Sequence, residues 1–151
     1  MEPTLAIRRA TKNDAEDVAA VFSAALKSMA FFPKLHSDEE DRAFVRAFIE
    51  GCETWIALRD GRVIGLACIE GDRLAHLYVD PAQHDRGAGT ALLERVKHKR
   101  PQGFDLWTFQ ANAGARRFYE RHGCVAVELT DGSRNEEMLP DVRYAWQPDD
   151  S

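Results

Sequence analysis

The 151-residue chain has only three cysteines, Cys52, Cys68 and Cys124, an odd number without metal-ligand spacing and each set beside apolar residues. That pattern excludes a disulfide-stapled scaffold and a cysteine metal centre, and it points to a reduced, cytoplasmic compartment. No apolar run approaches the length of a membrane span, and the opening residues MEPTLAIRRATKND carry charge where a signal peptide needs an apolar core. A soluble chain without membrane contact is expected. Positive charge is not in excess either: 20 Lys and Arg stand against 25 Asp and Glu, a formal charge of -5, which speaks against a nucleic-acid surface. With no internal repeat, linker or low-complexity segment, 151 residues of 44% hydrophobic content make one domain spanning 1–151.

What the chain does contain is a succession of hydrophobic periods. TLAIRRA alternates and predicts a first strand, after which Val18, Val21, Phe22, Ala25, Leu26 and Met29 fall at helical spacing behind a Thr11 and Asp14 start signal. Ser37 and Glu40 form a capping-box pattern ahead of a second helix, with Phe44, Val45, Phe48 and Ile49 on one face and Gly51 as its stop. Three β-rich runs follow from Glu53, joined at Asp60-Gly61 and Gly71-Asp72, both tight-turn signals. A helix through Thr90, Leu92, Leu93 and Val96 ends in the basic KHKRP. GFDLWTFQ then predicts a strand, NAGARRFYERHG a helix, and CVAVEL and VRYAWQ two closing strands around TDGSRNEEMLPD; the tail PDDS reads as disordered. The order is β-α-α-β-β-β-α-β-α-β-β, an α/β chain of the α+β type whose mixed, mostly antiparallel central sheet is flanked by about four helices.

Between the sixth and seventh of these elements, DPAQHDRGAGTALL places Gly87 and Gly89 where an extended run gives way to a helix. A dinucleotide-binding fingerprint wants a small residue at position 92, which is Leu92, and a place after the first strand of a βαβ unit. A P-loop needs Gly-Lys-Ser/Thr, which is absent. What remains is physical: glycines let backbone N–H groups turn toward one point at the positive end of a helix dipole, a site that suits a pyrophosphate.

LYVDPAQHDRGAGTALL followed by NAGARRFYERHGC resembles the GNAT N-acetyltransferase superfamily. There a Q/R-x-x-G-x-G/A loop follows the fourth strand, and N-x-x-A-x-x-F-Y-x-x-x-G occupies the last helix. The similarity is specific across residues 74–124 and compatible in element order over the whole chain. It implies a GNAT-like sheet and acetyl-CoA as cosubstrate. It also implies that the backbone amides of Arg86, Gly87, Ala88, Gly89 and Thr90, with that of His84, hold the acetyl-CoA pyrophosphate, while main-chain groups of Leu77, Tyr78 and Val79 pair with the pantetheine arm as an added strand would. By the same resemblance Asn112 touches that arm, Phe118 packs beside it, and Tyr119 is the general acid for the departing thiolate. Taken without the resemblance, Asn112 also reads as a helix N-cap and Tyr119 as a core aromatic. One departure stands out: His84-Asp85 occupy positions where the family commonly has Gln or Arg followed by Gly. A carboxylate there repels phosphate, so Asp85 is expected to point outward, with Arg86 offsetting it.

Acetyl transfer needs a neutral amine, and some group must take its proton. His76 on the fourth strand, Glu70 at the end of the third and His36 between the first two helices remain alternatives. The resemblance adds a backbone N–H near Val79 that polarises the thioester oxygen. It also puts the acceptor pocket between SMAFFPKLHSDEED and DGSRNEEMLPD, where Phe31, Phe32 and His36 form an aromatic wall, Glu70 stands on the acceptor side, and Asn135, Glu136 and Glu137 attract a cation. Taken without the resemblance, Phe31 and Phe32 read first as core packing and the acidic run as a solvated loop. The acceptor is then an amine of a small molecule or a peptide. A non-catalytic acyl-CoA sensor is the rival reading, and it has no use for Tyr119. A homodimer through the last strands, with Tyr144 and Trp146 as edge or apolar patch, accompanies either reading.

Overall fold

In the computed structural model, which describes residues 5–84 and 86–148, the changes of period become seven strands and four helices. Along the chain these are β1 (Leu5–Arg9), α1 (Ala15–Ser28), α2 (Asp38–Gly51), β2 (Glu53–Arg59), β3 (Arg62–Glu70), β4 (Arg73–Val79), α3 (Ala88–Lys99), β5 (Phe104–Phe109), α4 (Ala113–Arg121), β6 (Val125–Leu129) and β7 (Asp141–Trp146). The order is the one expected. Asp85 and residues 149–151, about which the sequence raised expectations, lie outside the described residues. No helix among the described residues is long and apolar enough to cross a membrane.

Local signals act where they were read, with small shifts. Thr11 and Asp14 do form a capping box, but around one 3-10 turn, Lys12–Asp14, from which α1 continues at Ala15. Asp14 also receives both Nη atoms of Arg8 at 2.9 Å, which ties the helix start to β1. Ser37 Oγ accepts from the Glu40 N–H and Glu40 accepts from the Ser37 N–H, each at 3.1 Å. Helix α2 then includes Gly51 and ends at Cys52.

The strands form one sheet in the order β1-β2-β3-β4-β5-β7-β6. All neighbours run antiparallel except β4 and β5. Helices α1 and α2 cover one face, where Val18, Phe22, Val45 and Phe48 meet Ile56, Leu58 and Leu66. Helices α3 and α4 cover the other, where Leu92, Leu93, Val96 and Tyr119 meet Ala57, Ile64, Ala67, Leu106 and Tyr144. Strand β3 is covered on both sides, which is why VIGLACI is a continuous apolar run without alternation.

Phe44 keeps the face expected of it, its ring 5.8 Å from Phe22 and 5.6 Å from Phe48, although it is 49% exposed. One expectation is corrected. Tyr144 is no edge residue: it is fully buried, its hydroxyl donating to Glu120 at 2.5 Å and accepting from Arg116 Nε at 3.1 Å. Trp146 stacks on Phe104. At this end of the sheet the outer strand is β6, with Val125, Val127 and Leu129 open to solvent.

One irregularity positions everything that follows. Cys68 pairs with His76 and Ile69 with Leu74, so Ala75 is an extra residue in β4. Such a bulge bends the strand that carries it. Consequently β4 pairs with β5 only at Arg73 and Leu74 and then diverges from it. The closed end of the fork is held by an ion ladder on one face of the sheet. Arg73 grips Asp105 twice at 3.0 Å, Arg143 reaches Asp105 at 3.4 Å, and Arg143 also binds Glu128 at 3.0 Å.

Candidate active site

Beyond Leu74 the fork opens into a cleft of about 660 Å³, walled by β4, the end of β5, the first turn of α3, α4 and the last turn of α1. On its β3 side the segment Leu77–Val79 is paired, with Leu77 opposite Ala67, Tyr78 opposite Leu66 and Val79 opposite Gly65. Among the described residues its β5 side has no strand partner there. Backbone donors and acceptors are obligatory hydrogen-bonding groups, so this edge is a template for an extended, amide-bearing ligand.

At the mouth of the cleft the chain turns from β4 into α3. The Asp80 carboxylate accepts from the Ala82 N–H at 3.0 Å, and the Asp80 N–H is tied back to the Ile64 carbonyl at 2.8 Å. Gly87 caps α3 with φ 88, a left-handed conformation that L side chains enter at a cost. His84, Gly87, Ala88, Gly89 and Thr90 all line the cleft, while Arg86 is exposed beside it. Thr90 Oγ1 lies 3.3 Å from Nε2 of His122, an imidazole whose pKa is held low by partial burial and then by Lys97 and Arg121.

Helix α4 forms the opposite wall. Asn112 is its N-cap, accepting from the Ala115 N–H at 3.0 Å, and it lines the cleft, its amide also reaching the Met29 sulfur at 3.6 Å. Phe118 packs on Gly89 and on the His122 ring. Tyr119 is only 7% exposed, and burial raises its pKa well above the usual phenol value, with Tyr78 adding to the effect. No described residue hydrogen-bonds the Tyr119 hydroxyl. Burial likewise pushes Tyr78 up to about 12, helped by the charge of Glu137. Two neutral phenols therefore lie close together on the cleft wall.

His76 also lines the cleft, within an aromatic box. Its ring centroid stands 5.0 Å from Phe48, 5.4 Å from Phe44, 5.9 Å from Phe22 and 6.2 Å from Tyr78. Desolvation in that box pushes the imidazole down to about 4, so it is neutral near pH 7 with a lone pair free.

The remaining candidates separate. Phe31 lines the cleft, and both Phe31 and Phe32 pack edge-on against Phe109 at the end of β5. His36 stands outside the cleft, bridging Glu40 at 3.3 Å and Glu136 at 2.5 Å, and these carboxylates, Glu40 first, hold its pKa up. It thereby pins the loop after α1 to the loop before β7. Asn135 is spent within its own loop on Leu139 and Asp141. Glu70 is not in the cleft: it lies at the other end of β4, in a depression with Arg73, Phe104 and Asp105. Sequence reasoning did not single out Arg117 and Arg121, one helical turn apart on α4 and both on the cleft. Their spacing with Phe118 and Gly114 on one helix was the available signal.

Comparison with known proteins bears on the family and the fold. A family model described as an acetyltransferase (GNAT) domain matches residues 50–124. The chain is similar to the peptidyl-lysine N-acetyltransferase YiaC of Escherichia coli (strain K12), with 31% identity over 101 residues that cover 66% of this chain and 67% of that one. Among solved structures it overlays a GCN5-related N-acetyltransferase from Rhodopseudomonas palustris with a TM-score of 0.79 and 27% identity, covering 98% of this chain and 99% of that one. The fold is also that of yncA from Salmonella typhimurium, solved with its cofactor acetyl-CoA, at a TM-score of 0.74 and 19% identity over 97% of this chain and 95% of that one.

Proposed function

The chain belongs to the GNAT acetyltransferase family and is an acetyl-CoA-dependent N-acetyltransferase, and from that premise we propose that its acceptor is the primary amine of a lysine side chain in a peptide or protein. The observation that carries the catalytic reading is a single cleft that combines a β4 edge without a described strand partner beyond Leu74, a glycine-capped helix start and a phenol hydroxyl that no described residue hydrogen-bonds. These features fit acetyl-CoA. The strand edge suits the amides of its pantetheine arm, the α3 N-terminus suits its pyrophosphate, and Arg117 and Arg121 supply positive charge on the rim. The cosubstrate brings an activated acetyl group on sulfur.

The chain's own groups then manage protons. Tyr119, neutral throughout the working pH range, donates its hydroxyl proton to the departing sulfur, and the resulting phenolate, held at a raised pKa, regains a proton from water. His76 takes the proton released by the amine, and its low basicity suits a relay that passes the proton on to water. A peptide lysine as acceptor is supported by the similarity to a peptidyl-lysine acetyltransferase and by Glu137, whose negative charge acts on Tyr78 in the cleft. Calorimetric titration with acetyl-CoA, CoA and ATP, followed by thiol release with lysine-containing peptides, tests both levels. Micromolar binding of acetyl-CoA and CoA with weak ATP, then peptide-dependent thiol release, is expected. Turnover with small amines and none with peptides would overturn the acceptor, and absence of acetyl-CoA binding would overturn the cofactor site.

A further inference from the structure

The loop that opens α3 is held from behind by a side chain outside every motif. Arg59, the last residue of β2, donates from Nη2 to the Arg86 carbonyl at 2.7 Å, although the two are 27 positions apart. Strand β2 alternates, with Trp55 and Ala57 in the core beneath α3 and Ile56 and Leu58 in the core beneath α1 and α2, so Arg59 falls on the α3 side. Among the described residues, two buried side-chain polar atoms lack a hydrogen-bond partner, Arg59 Nε and Gln83 Oε1. Both belong to this corner, Gln83 within the loop and Arg59 behind it. A buried unmatched N–H costs stability, so this guanidinium is poorly explained by folding alone.

Peptide geometry gives the bond a consequence. In a trans peptide the carbonyl oxygen of one residue and the N–H of the next point in opposite directions, and the described chain has no cis peptide bond. Drawing the Arg86 oxygen toward β2 therefore turns the Gly87 N–H away from β2. Gly87 lines the cleft. We propose that Arg59 is a positioning residue for acetyl-CoA: by gripping the Arg86 carbonyl it aims the Gly87 amide at the pyrophosphate and sets a fixed positive charge behind the loop. This inference rests on the acetyl-CoA reading above. A charge-assisted bond from a guanidinium fork supplies both direction and charge, and a lysine ammonium supplies the charge with less direction.

The test compares wild type, Arg59→Met and Arg59→Lys by calorimetry against three ligands. CoA and 3′-phosphoadenosine 5′-diphosphate carry the pyrophosphate, and S-acetylpantetheine lacks it. Arg59→Met is expected to raise Kd for CoA and for the nucleotide by the same factor, about tenfold, the scale of one lost charge-assisted contact. Its affinity for S-acetylpantetheine and its melting temperature should stay near those of wild type, and Arg59→Lys should recover part of the loss. An unchanged CoA Kd in Arg59→Met would overturn the proposal, as would an equal loss with S-acetylpantetheine, which would mean that the cleft itself had deformed. Failure of wild type to bind CoA is a separate result, and it would overturn the acetyl-CoA reading as well.

Discussion

A β-carbon on Gly89 would stand 3.4 Å from Phe118 Cζ and 3.8 Å from Val79 Cγ2, which is ordinary packing distance between two walls of the cleft. One on Gly87 would meet no described residue within 4 Å, but Gly87 holds φ at 88. The two glycines thus meet different demands. Gly87→Ala should cost about 1 kcal/mol through its left-handed backbone, despite the open space. Gly89→Ala should hold or raise stability, because alanine is favoured over glycine inside a helix by about 0.5–1 kcal/mol. Thermal melts of the two variants decide it; equal melting temperatures would mean that the positive φ at Gly87 carries no penalty.

Tyr119→Phe removes a hydroxyl that no described residue binds, so it leaves no orphaned protein group behind. Stability and acetyl-CoA affinity should stay near wild type. Turnover, read as thiol release at saturating substrates, should fall by roughly a hundredfold, the usual scale for loss of a general acid. Turnover within threefold of wild type would reduce Tyr119 to a packing residue.

Much of this site is legible in the order of residues alone, and the boundary of legibility has a physical cause. Element order, the Ser37 and Glu40 cap and the Gly87 helix start are written in residues close together in the chain. The bulge that opens the cleft falls at Ala75, a residue with no turn or bulge character of its own, and depends on how β3 registers against β4. The aromatic box of His76 is likewise built by Phe22, Phe44 and Phe48 from two helices that come together only on folding. Tyr144 misled for the opposite reason: its strand is the last in the chain but not the last in the sheet, because β6 takes the outer place.

Asp14 makes the fold sensitive to acid. Hydrogen bonding to Arg8, aided by the Thr11 backbone against a burial penalty, brings its carboxyl from 3.8 down to about 2. A folded pKa below the unfolded one means that the contribution is present above about pH 4 and is lost as pH falls toward 2. Its ceiling is about 2 kcal/mol, lowered by solvent screening at the half-exposed Arg8. Asp14→Asn should therefore be less stable than wild type in urea at pH 7, and about half of that gap should be gone by pH 3. A gap that does not change with pH would mean that the Arg8 pair is not its source.

His76 sets the opposite kind of expectation, an inflection that should be missing. Burial lowers its pKa from 6.5 to about 4, so protonation favours the unfolded chain, and stability from the neutral ring is full above 6.5 and lost as pH falls toward 4. Between pH 6 and 9 the ring does not titrate, whereas a lysine acceptor, with a pKa of about 10.4 in water, gains neutral amine throughout. The logarithm of kcat/KM for a lysine peptide should therefore climb by about one per pH unit, with no break near 6.5. His76→Phe keeps the box filled with an aromatic ring but removes the lone pair. If His76 relays the amine proton, this variant binds acetyl-CoA as wild type does and loses turnover by roughly a hundredfold. A wild-type break at 6.5 would show a solvated, titrating imidazole, and full turnover in His76→Phe would pass the proton directly to water.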